Sequence, residues 1–168
     1  ITEETCRKWG YIRAPFNGRN VHVAQMFDEN RRVVAQKIRL PNKDFVWKGD
    51  KKGAPGLYGK WLWKEGGRKI VITEGEIDAL TVSQLQDNKW PVVSITDGAG
   101  GAVRSIKKEL QYLNSFEQVI LMFDMDDVGQ EAVEKCVTLF PPGKCFVAHL
   151  PEKDANECLL KGKGKDVI

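Results

Sequence analysis

The sequence predicts an α/β fold: a mostly parallel sheet flanked by helices, preceded by a small, mainly β, basic subdomain. Three observations predict it. From Lys69 onward, short apolar runs alternate with helically spaced segments across short connections, the pattern of parallel strands with crossover helices. Before that, apolar and polar residues alternate singly in two runs around a turn, the pattern of half-buried antiparallel strands. Charge divides at the same place. Residues 1–68 hold 15 Lys and Arg against 7 Asp and Glu, and residues 69–168 hold 11 against 16, so a half at +8 precedes a half at −5. Domains are expected at 1–68 and 69–168. A basic part joined to an acidic part suits a protein that holds a polyanion next to metal-binding carboxylates, although two ordinary solvated surfaces give the same count.

Each element follows in order. Thr2 with Glu3 and Glu4 reads as a helix start, and Gly10 as its stop. NVHVAQMF and RRVVAQKIRL form a hairpin around Asp28-Glu29-Asn30, and FVWK adds a third strand. KGDKKGAPG is a basic loop. Trp61 and Trp63 alternate with Leu62 in a short extended segment. IVIT is then a strand, 76–85 a helix, PVVSI a strand and AVRSIKKELQYL a helix. QVILMFD is a strand ending on Asp124, 128–139 a helix, CFVAHL a strand and ANECLL a short helix.

Composition narrows the class. An apolar content of 42% suffices for a packed core. No run of about 18 apolar residues and no basic-plus-apolar leader is present, so neither a membrane span nor a signal peptide is expected. The missing initiator Met and the polar KGKGK tract read as the ends of a fragment. Cys6, Cys136, Cys145 and Cys158 form no CxxC pair, and His22 and His149 are distant in sequence. No structural zinc is expected, and the cysteines are expected to be reduced.

Ligands of such sheets bind at the carboxyl ends of the strands. Glu74 follows IVIT, Asp124 follows VILMF, and Asp154 comes shortly after VAHL. Carboxylates gathered together repel and take up protons unless a cation is bound. Hard oxygen donors with room for water select Mg²⁺, with Mn²⁺ as its substitute, over zinc. Such an ion polarises a phosphoryl oxygen and neutralises a leaving pyrophosphate. Each piece alone reads as structural: Glu76 and Asp78 as favourable charges at a helix start, and DMDD as a turn. Three strand ends together read as a metal site.

These residues resemble a known family. Ile72-Thr73-Glu74-Gly75-Glu76-Ile77-Asp78-Ala79-Leu80 is similar to the glutamate motif of Toprim domains. Phe123-Asp124-Met125-Asp126-Asp127-Val128-Gly129 resembles their DxD motif with its glycine turn, and Lys153-Asp154-Ala155-Asn156-Glu157 resembles the KDxN segment of primases. With VAQKIR, the basic loop and LYGKWLW, the resemblance extends to the primase part of the bifunctional primase-helicases of short-tailed, T-seven-like phages. It implies a Toprim-type sheet, a cleft between the two subdomains, and template-directed synthesis of short RNA primers from ribonucleoside triphosphates on single-stranded DNA. It further implies a zinc-binding domain and a hexameric helicase in the full-length protein, a replicative DNA polymerase as partner, and the bacterial host cytoplasm as location. The chain itself has neither a zinc pattern nor a GxxxxGKS or GxxxxGKT loop.

The resemblance also implies roles. Glu74 is a metal ligand or the general base on the incoming 3′-hydroxyl. Asp124, Asp126 and Asp154 are metal ligands, and Asp78 supports the site from one helical turn away. Lys37, Arg39, Lys43 and Lys60 meet nucleotide phosphates or template, with Lys37 and Arg39 on one face of a strand. Asp97 in SITDGAGGA departs from the resemblance and carries no assigned role. The glycines after it either bring backbone amides to a phosphate or make a tight strand-to-helix turn. Two alternatives compete with a primase: a Toprim-type metal-dependent nuclease, and a catalytically degenerate domain that grips DNA for a replicative helicase. A topoisomerase is not expected in so short a chain.

Overall fold

The computed structural model describes residues 1–42 and 44–168. In the first unit, Ile1–Pro55, helix α1 (Glu3–Trp9) begins where the Thr2 hydroxyl accepts the Thr5 amide at 3.3 Å. It ends at Gly10, which takes the left-handed conformation at φ 63°. Four antiparallel strands follow in chain order: β1 (Tyr11–Phe16), β2 (Arg19–Phe27), β3 (Val33–Arg39) and β4 (Phe45–Gly49). The β2–β3 hairpin closes where the Asp28 carboxylate accepts the amides of Asn30 and Arg32 and pairs with the Arg32 guanidinium. Val21, Val23 and Ile38 bury one face of this sheet. Strand β1 was not expected from sequence. It contains Pro15, which an edge strand tolerates because its amide is not needed in the ladder.

The second unit, Gly56–Ile168, starts ahead of the boundary expected after residue 68. The reason is β5 (Leu57–Tyr58), which pairs antiparallel with a strand of the second sheet. Next, Lys60–Leu62 form a 3₁₀ turn after Gly59 (φ 87°), not the extended segment read from the Trp61–Trp63 alternation. Strand β6 (Gly67–Thr73), helix α2 (Glu76–Leu85) and strand β7 (Val92–Ile95) follow. The helix expected over AVRSIKKELQYL is broken into α3 (Ala102–Lys108) and α4 (Leu110–Asn114). Glu109 sits at the break with a backbone outside the helical range (φ −112°, ψ 17°), and its carboxylate turns inward, accepting the Gly56 amide at 2.7 Å and pairing with Lys60 at 2.6 Å. Strand β8 (Phe116–Met122), helix α5 (Asp127–Val137), strand β9 (Cys145–Val147) and helix α6 (Ala155–Leu160) complete the unit.

The sheet order is β5-β7-β6-β8-β9, with β6 to β9 parallel. Ile70, Ile72, Val93, Val119 and Leu121 bury one face against residues of α3, α4 and α5 such as Ile106, Leu113 and Val133. Each such side chain contributes roughly 1.5–3 kcal/mol by leaving water. Helix α2 lies against β7 and α6. The central strands β6 and β8 are therefore fixed neighbours, and their carboxyl ends point the same way.

Candidate active site

Three segments at the carboxyl rim carry the acidic residues. Glu74 ends β6. Its Oε1 accepts the amide of Ala99 at 3.3 Å, while its Oε2 is buried and makes no hydrogen bond of good geometry with the protein. The glycine segment after β7 is thus a turn into α3, and one of its amides holds Glu74. Asp97 pairs with Arg104 at 2.8 Å. After β8 come Asp124 and Asp126, and Asp126 Oδ1 caps α5 by accepting the Gly129 amide at 2.9 Å. Gly129 permits a close approach. A Cβ there would lie 2.3 Å from the Asp124 carbonyl oxygen and 3.1 Å from Glu74 Oε2.

Asp154 caps α6 by accepting the Glu157 amide at 2.7 Å. Asp78, in the first turn of α2, accepts the Asn156 amide at 3.0 Å and so ties that turn to the KDAN segment. Asn156 also donates to Thr81 Oγ1 at 3.1 Å. The three sequence motifs, distant along the chain, therefore meet.

The electrostatics reflect that meeting. Burial first, then Asp154, Asp124 and Glu74, push Asp78 up to about 7. Burial, then Glu74 and Asp154, push Asp124 up to about 6, with Lys153 opposing. Burial also raises Glu74, against the amides of Ala99 and Asp124. Asp126 moves down because the Gly129 amide and Lys153 favour its charged form. Lys153 is the functional candidate that sequence reasoning left without a role. Its Nζ lies 3.1 Å from Asp126 and 3.8 Å from Asp124. The signal was present as the first residue of the KDAN segment.

Among the described residues, no three His, Cys, Asp or Glu side chains form a ready-made metal cage. The donor set nonetheless fits a hard cation. The crowding of negative charge raises the proton affinity of Asp78 and Asp124, one ammonium lies against Asp124 and Asp126, and Glu74 Oε2 is a buried acceptor without a good donor. A cavity of about 700 Å³ elsewhere in this unit is lined by Trp63, Val71, Trp90, Ile120 and Met122 and contains none of these carboxylates.

The basic candidates are placed differently from one another. Lys37 is only 8% exposed, with its ammonium 4.3 Å from the centre of the Phe45 ring. Arg39, on the same face, is exposed. Pairing register sets Arg13, His22 and Arg39 side by side on three neighbouring strands, and all three are exposed. Burial, then Arg13 and Arg39, lower the His22 pKa. Arg13 and His22 were missed because seeing this row requires β1. Lys60 is tied to the buried Glu109 and lies 5.1 Å from the centre of the Tyr112 ring. Lys43 lies outside the described residues.

Comparison with known proteins adds to this geometry. Residues 71–159 match the Toprim-like family. Residues 1–49 match the family described as Bacteriophage T7 DNA helicase/primase, N-terminal a+b fold. A DNA helicase/primase of Enterobacteria phage T3 is 49% identical over 168 residues, which is 100% of this chain and 29% of that relative. The crystal structure of the primase fragment of the bacteriophage T7 primase-helicase superposes with a TM-score of 0.92 at 49% identity, covering 99% of this chain and 69% of that one. A structure of the bacteriophage T7 lagging-strand DNA polymerase, interacting with primase domains of two gp4 subunits bound to an RNA/DNA hybrid and dTTP, matches equally well. Its TM-score is 0.92 at 49% identity, covering 99% of this chain and 84% of the matched chain.

Proposed function

Because this chain belongs to the Toprim-like family and to the family of the T7 primase fragment, we propose that it is the primer-synthesising part of a phage helicase/primase. The reaction is template-directed joining of ribonucleoside triphosphates on single-stranded DNA. The observation that carries this reading is the convergence of Glu74, Asp78, Asp124, Asp126 and Asp154 at one rim of the sheet, with Glu74 Oε2 lacking a good donor.

Glu74, Asp124, Asp126 and Asp154 would hold divalent ions, with Mg²⁺ the expected metal and Mn²⁺ its substitute. Once bound, such ions polarise the phosphoryl group and neutralise pyrophosphate. In the joining step the 3′-hydroxyl oxygen attacks the α-phosphorus and the bond to pyrophosphate breaks. Glu74, whose proton affinity is raised by burial, serves either as one of these ligands or as the base that takes the hydroxyl proton. Asp78 positions the KDAN segment through the Asn156 amide. Arg13 and Arg39, which flank His22 in the row, with Lys37 beside the Phe45 ring, supply charge and an aromatic face for template or nucleotide phosphates. The helicase, the zinc-binding domain and the DNA polymerase partner belong to this reading of the full-length protein.

Asp124→Ala and Asp126→Ala should abolish Mg²⁺-dependent dinucleotide synthesis while leaving circular dichroism unchanged. Normal synthesis by either variant contradicts the assignment. Cleavage of labelled DNA without synthesis would favour the nuclease alternative, and DNA binding with neither reaction the degenerate one.

A further inference from the structure

We infer that Lys153 is the resident counter-cation of the carboxylate site, holding Asp124 and Asp126 while no divalent ion is bound and competing with that ion for them. The inference rests on the metal site proposed above. Lys153 Nζ lies 3.1 Å from Asp126 Oδ2 and 3.8 Å from Asp124 Oδ2, so one ammonium bridges the two acids of the DxD motif. An ammonium is a compact point charge with donors only, and the closest side-chain substitute for a hard cation.

The tether is fixed and the head is not. The Lys153 carbonyl accepts the Met125 amide at 2.7 Å, and its amide donates to Glu157 Oε2 at 3.3 Å. The next residue, Asp154, caps α6. The side chain is 54% exposed, so the ammonium can leave toward solvent without disturbing the backbone. The single charge is also incomplete as a substitute, since it leaves the buried Glu74 Oε2 without a hydrogen bond of good geometry. Displacement by a divalent ion would free a cation on a short, anchored stem at the rim where anionic nucleotides must arrive.

Isothermal titration of this chain with Mn²⁺ tests the competition in the parent, Lys153→Gln, Lys153→Arg and Glu74→Gln. Lys153→Gln should bind the ion about two- to fivefold more tightly, the range open to a half-exposed ion pair. Lys153→Arg should stay near the parent, and Glu74→Gln should bind more weakly. Without metal at pH 8, Lys153→Gln should also melt below the parent, with the gap closing at saturating Mn²⁺. Equal or weaker binding by Lys153→Gln, alongside normal binding by the parent, overturns the lysine inference alone. No binding by any of the four proteins overturns the metal site and the lysine inference together.

Discussion

At the scale of single residues, Asp78 and Asp124 keep their protons to about 7 and about 6, while an unfolded aspartate loses its proton near pH 4. Between those values the folded chain binds more protons than the unfolded one. Stability without metal therefore falls as pH rises through that window and levels off above it. In the presence of a chelator the melting temperature should be lower at pH 8 than at pH 5, and Asp78→Asn should remove much of that drop. A larger drop in Asp78→Asn than in the parent would contradict a cause in the buried carboxyl groups.

Glu74 and Asp124 were legible in the sequence because each follows an apolar strand run, and the strand ends of one parallel sheet share a rim; Asp154 instead lies well past β9, which ends at Val147, and reaches the site as the N-cap of α6. Lys153 was not assigned, because its partners Asp124 and Asp126 lie on another segment and no local spacing joins them.

At the scale of elements, close packing reverses one ordinary expectation and adds a structural role to a second residue. Gly129 lies inside α5, where Gly→Ala ordinarily gains roughly 0.5–1 kcal/mol. In this helix a Cβ would meet the Asp124 carbonyl oxygen at 2.3 Å. Gly129→Ala should instead lose about 1–3 kcal/mol, measured by urea unfolding. Lys60, expected to meet nucleotide phosphates or template, is also paired with Glu109, which is 7% exposed. Lys60→Ala should lower stability by about 1–3 kcal/mol because it leaves that carboxylate alone. An unchanged melting temperature with an increased nucleotide KM would contradict the structural role and leave Lys60 to phosphate alone. The break between α3 and α4 was illegible too: Glu109 fits a helical pattern, and its partners there, Gly56 and Lys60, are distant in sequence. Strand β1 was hidden by Pro15, whose edge position only the sheet order reveals.

At the scale of the whole molecule, phosphate binding is proposed for the basic Ile1–Pro55 unit and chemistry for the carboxylate-bearing Gly56–Ile168 unit. Single-stranded DNA binding should weaken with salt by a slope of about −0.7 per phosphate contact, and Arg39→Ala should reduce that slope. The central claim is that chemistry belongs to the strand-end carboxylates and phosphate binding to the bases. Steady-state dinucleotide synthesis by Glu74→Gln and Lys37→Ala, followed against nucleotide concentration at saturating Mg²⁺, tests it most directly. Lys37→Ala should lose about ten- to a hundredfold in efficiency, the size of a charged contact to phosphate, and recover at high nucleotide. Glu74→Gln should remain inactive at every nucleotide concentration. Rescue of Glu74→Gln by high nucleotide, to the same extent as Lys37→Ala, would contradict that division.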